Sequence, residues 1–289
     1  MHDLIQTSPV ALIGLCFFFG LLVGSFLNVV IHRLPKMMER DWQQEARQLL
    51  ELPAENTDSG IYNLVVPRSA CPQCGHQIRW YENIPVVSWL ALKGRCSQCG
   101  TAISSRYPII ELTTGVLSAL VAWQLGYGPW LVFVLFATWV LLAAAVIDAD
   151  TTLLPDSLNY WLLWAGLLAA VAGISPVSLN DAVVGAMVGY MSLWALFWVF
   201  KLLTGKEGMG YGDFKLLAAL GAWVGWQLLP LVVLLSSVVG LVFALAMMLR
   251  GSVDRQQGIP FGPYLATAGW IALLWGDTIV SGYLGMIGV

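Results

Sequence analysis

Gly208-Met209-Gly210-Tyr211-Gly212-Asp213-Phe214-Lys215 lies between two long apolar runs, and its reading decides the fold. Three glycines alternate with Met209 and Tyr211, and an aspartate stands where the next apolar segment begins. Glycine tolerates positive φ and lets a backbone come close to another group. A carboxylate beside an apolar segment is costly and marks function by default. The plainer reading is a glycine-rich turn whose Asp213 caps the following helix. Composition sets the context: 58% of the 289 residues are hydrophobic and 11% charged, with mean hydropathy +0.75. Soluble domains carry about 25% charged residues, so the chain reads as an all-α polytopic membrane protein.

Working outward, eight spans are expected, at about 10–31, 108–125, 129–147, 158–174, 181–203, 213–226, 229–249 and 261–280. The first is too long for a signal-peptide core and lacks a cleavage site, so it is kept as a span. The sixth is short. Turns are expected at Gly126–Pro129, Ile174–Pro176, Gly225–Pro230 and Gly258–Pro260. With eight spans, all 14 Lys and Arg residues fall on one face, and the positive-inside rule makes that face cytoplasmic. Three parts follow: a first helix over 1–31, a cytoplasmic loop domain over 32–107, and a seven-helix membrane domain over 108–289. Within the loop, Met37–Leu52 reads as an amphipathic helix. Gly20/Gly24, Gly185/Gly189 and Gly221/Gly225 have the spacing of close helix contacts.

The loop carries Cys71-Pro-Gln-Cys74 and, 21 residues later, Cys96-Ser-Gln-Cys99. Two such pairs close a tetrahedral four-sulfur site with no open position, which suits a structural zinc. Two disulfides are the competing reading, and a reducing cytoplasmic setting opposes it. His76 reads as a loop histidine rather than a fifth ligand. Cys16, alone in an apolar helix, reads as packing.

Acidic groups near the spans are few. Asp148, Asp150 and Asp156 follow the third span, and Asp213 opens the sixth. Asp148 and Asp213 share the cytoplasmic end of their helices, where two carboxylates can meet. Such a pair supplies one general base and one general acid, as in aspartic proteases. On the plainer reading Asp148 and Asp150 are solvated interface charges. Asp156 reads as the N-cap of span four and Asp181 as a cap on the opposite face. Glu111 and Asp277 receive no role. A Ser–His–Asp triad fails on supply, since His2, His32 and His76 are the only histidines.

Gly210-Tyr211-Gly212-Asp213 fits the GxGD motif of intramembrane aspartyl proteases. Three further features join it: Asp148 ahead of Leu154-Pro155-Asp156, the stretch Gly24–Pro35, and the two CxxC pairs. Together these make the chain similar to the type IV prepilin peptidases over nearly its whole length. The resemblance implies that Asp148 and Asp213 form the catalytic pair. It implies cleavage of a short basic leader after a glycine at the cytoplasmic face of the bacterial inner membrane. It further implies methylation of the new N-terminus from S-adenosylmethionine, with prepilins and type II secretion pseudopilins as substrates and no nucleic-acid partner. Residues binding S-adenosylmethionine carry no motif; no glycine-rich strand-turn-helix is present, and loop 32–107 is the natural place for a polar cofactor. Intramembrane carboxylates also mark ion paths, so a transporter is the alternative. A membrane scaffold built on the zinc module is a third reading, and it leaves the GxGD stretch without a task.

Overall fold

The computed structural model describes residues 8–52, 61–206, 208–249 and 260–287. Among them the regular structure is helical: α1 Pro9–Leu49, α2 Val87–Ala91, α3 Arg106–Leu125, α4 Pro129–Thr151, α5 Asp156–Val171, α6 Leu179–Thr204, α7 Tyr211–Val224, α8 Leu229–Leu249 and α9 Gly262–Ile287. Short 3₁₀ turns occupy Trp80–Asn83 and Trp226–Leu228. Each expected apolar run is a helix. Among the described residues, five stretches are long and apolar enough to cross a membrane: Pro9–Leu49, Arg106–Leu125, Pro129–Thr151, Leu179–Thr204 and Trp226–Ala246. The expected turn at Gly258-Ile259, with Arg250 and Arg255, lies outside the described residues.

The chain forms two compact units, Met1–Tyr127 and Gly128–Val289. In the first, α1 and α3 pack along a seam of small residues. A methyl group on Gly20 would sit 2.5 Å from Ser118 Oγ and 2.9 Å from Gly115 Cα; one on Gly24 would sit 2.7 Å from Glu111 Cα. Only hydrogen at these positions lets the backbones meet. The division expected at residue 107 and the one seen at residue 127 differ by this one helix, which goes with α1.

α1 runs unbroken through Pro35 for 41 residues, about 60 Å. A loop beginning at residue 32 and a separate helix over Met37–Leu52 were expected; instead the amphipathic segment prolongs the first span. An interior proline costs about 3 kcal/mol, and two features offset it. Glu, Gln, Arg, Ala and Leu dominate the following turns and are good helix formers. Buried Arg33 donates to the carbonyls of Asn63, at 2.9 Å, and Pro67, at 2.6 Å. Arg40 stacks 4.0 Å over the Tyr62 ring. The loop is thus tied to the helix on both sides of the proline.

In the second unit, the short α7 is the centre. Its 14 residues span about 21 Å, less than the roughly 30 Å hydrocarbon thickness. Every residue from Leu216 to Val224 is buried. Neighbours reach it through small residues: Gly185 and Gly189 of α6 lie against the backbone of Gly221 and Leu217, Gly166 of α5 lies under Trp223, and Gly269 of α9 lies against Leu220. Trp223 donates to the Leu162 carbonyl at 2.8 Å. Gly225, read from its spacing as a contact glycine, both meets Gly185, where an added methyl would lie 3.0 Å from the Gly225 carbonyl carbon, and ends α7 at φ 73°. Neighbouring helices enclose α7 on all sides, so its ends are covered by protein, which fits the shortness of the sixth run.

Candidate functional site

The glycines before Asp213 set its position. Gly210 is the N-cap of α7, so Asp213 falls at the third helical position. From there its carboxylate reaches back to the Gly210 backbone N–H, half of a capping box. Asp213 is thus not the helix cap, a place Gly210 takes, but a buried carboxylate within the first turn. Asp213 is 6% exposed, and its Oδ1 makes no hydrogen bond to protein.

Asp148 sits one turn before the end of α4 and is 4% exposed. Its carbonyl accepts from Thr152 N–H at 2.8 Å, which closes the helix, and Thr152 adopts φ 55°. The chain then turns through Leu153–Pro155 into α5. Asp148 Oδ2 accepts the backbone N–H of Gly262, the first residue of α9, at 2.9 Å. The charge that acts on Asp213 is the Asp148 carboxylate. The structure thus brings together the two aspartates singled out in the sequence, from helices 65 positions apart in numbering (213 minus 148).

Leu154 holds the arrangement. A methyl group built on Gly212 would lie 2.6 Å from Leu154 Cβ, and one on Gly262 would lie 3.1 Å from Leu154 Cδ1 and 2.6 Å from Asp148 Oδ2. Both glycines are dictated by close approach, one to the wedge and one to the carboxylate. Gly262 falls within the eighth expected span and carried no reading of its own in the sequence. Asn159 of α5 was also missed: it is 2% exposed, its Nδ2 donates to the Gly212 carbonyl at 3.4 Å, and its Oδ1 has no protein donor. Two buried oxygens without protein partners, on Asn159 and Asp213, therefore flank the glycine turn. Unsatisfied buried acceptors are rare and cluster where a ligand or water belongs.

The neighbouring carboxylates fall outside this group. Asp150 is exposed. Asp156 was expected as the N-cap of its helix, but Pro155 takes that position and Asp156 follows it. Proline fixes the chain geometry before the helix, and Asp156 pairs with Lys215 at 2.6 Å on the surface. Asp181 accepts from Ser178 at 2.7 Å, with Ser178 as the N-cap, and from Trp226 and Gln227 at 3.1 and 3.0 Å. It fastens the Trp226–Leu228 turn to α6.

In the first unit the two CxxC segments fold alike. Cys71 N–H donates to the His76 carbonyl and Gly75 N–H to the Cys71 carbonyl; Cys96 N–H and Gly100 N–H repeat the pattern on Thr101 and Cys96. Gly75 and Gly100 both adopt φ 70°, which closes each turn. The four Sγ atoms lie within 4.8 Å of one another, with Cys71–Cys99 at 3.8 Å and Cys74–Cys96 at 4.0 Å. A tetrahedron of sulfurs about 2.3 Å from one ion has edges of about 3.8 Å, so the set can hold a metal ion. All four cysteines are free thiols. Thr101, through its hydroxyl and its N–H, pulls the Cys99 thiol down to about 6. Cys74 is pushed up to about 12; its hydrogen bond from the His76 backbone opposes this, but burial and the three neighbouring sulfurs outweigh it. Four crowded sulfurs thus hold protons back until a cation replaces them. His76 turns away from the sulfurs and pairs with Glu82 at 3.2 Å.

Glu111, without a role in the sequence, is a buried strut. It accepts the N–H of Val86 at 2.7 Å and a hydrogen bond from Ser25. Asn28 donates to the Tyr107 carbonyl at 3.1 Å. Ser25, Asn28 and Arg33 all belong to the Gly24–Pro35 stretch, so its polar residues join α1 to the loop and to α3.

Comparison with known proteins follows the same division. Residues 18–125 match the bacterial peptidase A24 N-terminal domain, and residues 135–245 match the type IV leader peptidase family. The prepilin leader peptidase/N-methyltransferase of Stutzerimonas stutzeri is 57% identical over 98% of this chain and 97% of its own length. The protein of the same description from Pseudomonas aeruginosa is 57% identical over 99% and 98%. That from Neisseria gonorrhoeae is 50% identical over 96% of both. No solved structure matches the chain. With relatives this similar along its whole length, and with both family domains in order, the chain belongs to the type IV leader peptidase family.

Proposed function

We propose that this protein is a prepilin peptidase and N-methyltransferase of the bacterial inner membrane. It cleaves the basic leader from type IV prepilins and type II secretion pseudopilins, then methylates the new N-terminus. The observation that carries the peptidase half is the buried convergence of Asp148 and Asp213, with Asn159 and Gly262 around them. One aspartate takes a proton from water as the water oxygen bonds to the scissile carbonyl carbon. The other gives a proton to the departing nitrogen as the carbon–nitrogen bond breaks. Gly262 N–H holds one oxygen of Asp148, leaving the other for this work. Gly210, where an added side chain would meet nothing closer than Asp213 Oδ2 at 3.7 Å, leaves room for an extended substrate backbone beside Asp213.

The eight helices of the apolar runs are read as eight spans, with both chain ends outside and the loop after the first span in the cytoplasm. One-sided placement of all 14 basic residues supports this orientation. A leader rich in Lys and Arg then stays in the cytoplasm while its apolar segment enters the bilayer. The bond between them falls at the depth of helix-end aspartates. Cys71, Cys74, Cys96 and Cys99 would hold one structural zinc, which folds the loop and leaves no open coordination position. S-adenosylmethionine, when bound, supplies an electrophilic methyl carbon on a sulfonium. The protein's part is to present the new terminal amine, neutral, in line with it, the amine proton passing to water.

Cleavage of a synthetic prepilin by detergent-purified protein tests the peptidase reading. Asp148→Asn and Asp213→Asn preserve size but remove the titrating proton. Each is expected to abolish cleavage while zinc content and methylation of a pre-cleaved substrate persist. Substantial cleavage by either variant would show that the wrong carboxylate has been chosen. A carrier reading predicts no cleavage by the unaltered protein at all.

A further inference from the structure

The loop of the first unit contains a cavity of about 520 Å³ beside the cysteine cluster, and no step of leader cleavage uses it. Arg79, Tyr81, Glu82, Ser88, Ser97 and Gln98 are among its lining residues. The volume is in the range of small-molecule sites, roughly 300–1,000 Å³. Its walls come from three pieces of chain: the stretch from His76 through the 3₁₀ turn Trp80–Asn83, the region of helix α2, and the second CxxC turn. The knuckle carrying Cys96 and Cys99 therefore forms one wall.

Glu82 is the fixed point of this cavity. Its carboxylate accepts from Ser97, from Arg79 N–H at 2.9 Å and from His76 at 3.2 Å. The Ser97 hydrogen bond, then the Arg79 amide and the imidazole, hold it down to about 2, so it is an anion at neutral pH. Arg79 supplies a guanidinium whose Nη1 donates to Tyr81 Oη at 2.5 Å. A guanidinium has five donors in a fork, the geometry that grips a carboxylate. Tyr81 adds an aromatic face, and Ser88 and Gln98 add neutral donors and acceptors.

We propose that this cavity binds S-adenosylmethionine, a proposal that rests on the methyltransferase reading and assigns its donor site. One cation and one permanent anion near an aromatic ring suit a molecule that carries an aminocarboxylate, a sulfonium and a purine. Arg79 takes the carboxylate, Tyr81 covers the purine, and Glu82 lies on the side of the positive groups. A basic leader does not fit here, because Arg79 repels it. A phosphate-rich ligand meets the Glu82 charge.

The probe is S-adenosylhomocysteine, titrated calorimetrically into the zinc-loaded protein in detergent. Arg79→Ala and Tyr81→Ala are each expected to weaken binding by about tenfold or more, as loss of a charge-assisted hydrogen bond or an aromatic face does. Zinc content and leader cleavage should stay at the level of the unaltered protein. Unchanged affinity in both variants overturns the site and leaves the methyltransferase reading intact. Absence of binding by the unaltered protein, together with absence of methyl transfer, overturns both. If a variant loses its zinc, photolabelling of the unaltered protein with radioactive S-adenosylmethionine decides: label within residues 76–98 supports the site, and label confined elsewhere overturns it.

Discussion

Gly262→Ala is the substitution on which local and tertiary reasoning disagree most sharply. Helix propensity favours alanine over glycine by roughly 0.5–1 kcal/mol, so on local grounds the change is harmless. The tertiary contacts say otherwise. The added Cβ would lie 2.6 Å from Asp148 Oδ2, 3.0 Å from its Cγ and 3.1 Å from Leu154 Cδ1, where ordinary contact begins at 3.4 Å. The carboxylate oxygen must therefore retreat by about 0.8 Å, the difference between 3.4 and 2.6 Å. Leu154 cannot yield freely toward α7, because the space between it and Gly212 is too small even for a methyl group, which would lie 2.6 Å from its Cβ. The 2.9 Å hydrogen bond from Gly262 N–H lengthens with the same movement. A displacement near 1 Å at a reacting group costs about a hundredfold in rate, or roughly 2.7 kcal/mol of barrier. The assay is the turnover of a synthetic prepilin at saturating concentration, with zinc content and methylation of a pre-cleaved substrate as controls. We expect kcat to fall about a hundredfold with KM nearly unchanged, and both controls to hold. Cleavage within about threefold of the unaltered protein would refute the idea that this amide positions Asp148.

Three further outcomes are expected. Cys96→Ser, at the most buried of the four sulfurs, should lower zinc from about one per chain to well below it, as loss of one of four ligands requires; methylation should fall at least as far as cleavage, and a full zinc complement by elemental analysis would count against the site. Asp156→Asn removes an exposed ion pair with Lys215, worth about 1 kcal/mol at most, so cleavage should change by less than a factor of about five; complete loss would move Asp156 into the catalytic group. Reporter fusions at Asn56 and Gly128 should report cytoplasm and exterior respectively, and the reverse pattern would overturn the orientation.

What could be read in advance followed the range of the interactions involved. Helices came from apolar runs, because burial of a helix surface repeats within the helix itself. The paired cysteines were legible because each CxxC turn is local and needs only a fixed spacing. Asp148 and Asp213 stood out by scarcity, since a carboxylate among so few charges must be accounted for. The misplacement of Asp156 by one position has a local cause, a proline occupying the cap. Continuity of α1 through Pro35 was not legible, because the Arg33 hydrogen bonds that accompany it come from residues 30 and 34 positions away. Gly262 was further from reach, as its partner lies 114 positions back in the chain. Glu111 and Asn159 belong with it: each is defined by a backbone group on another segment, Val86 N–H and the Gly212 carbonyl. A backbone group has no residue-type signature, so no pattern of side chains announces it. On the proposed reading, the reactive groups declare themselves by type, whereas the groups that aim them are main-chain amides and carbonyls delivered by the fold. The consequence is specific. Substitutions that destroy the chemistry are predictable from composition alone, but those that misdirect it, such as Gly262→Ala, require knowing which backbone faces which carboxylate.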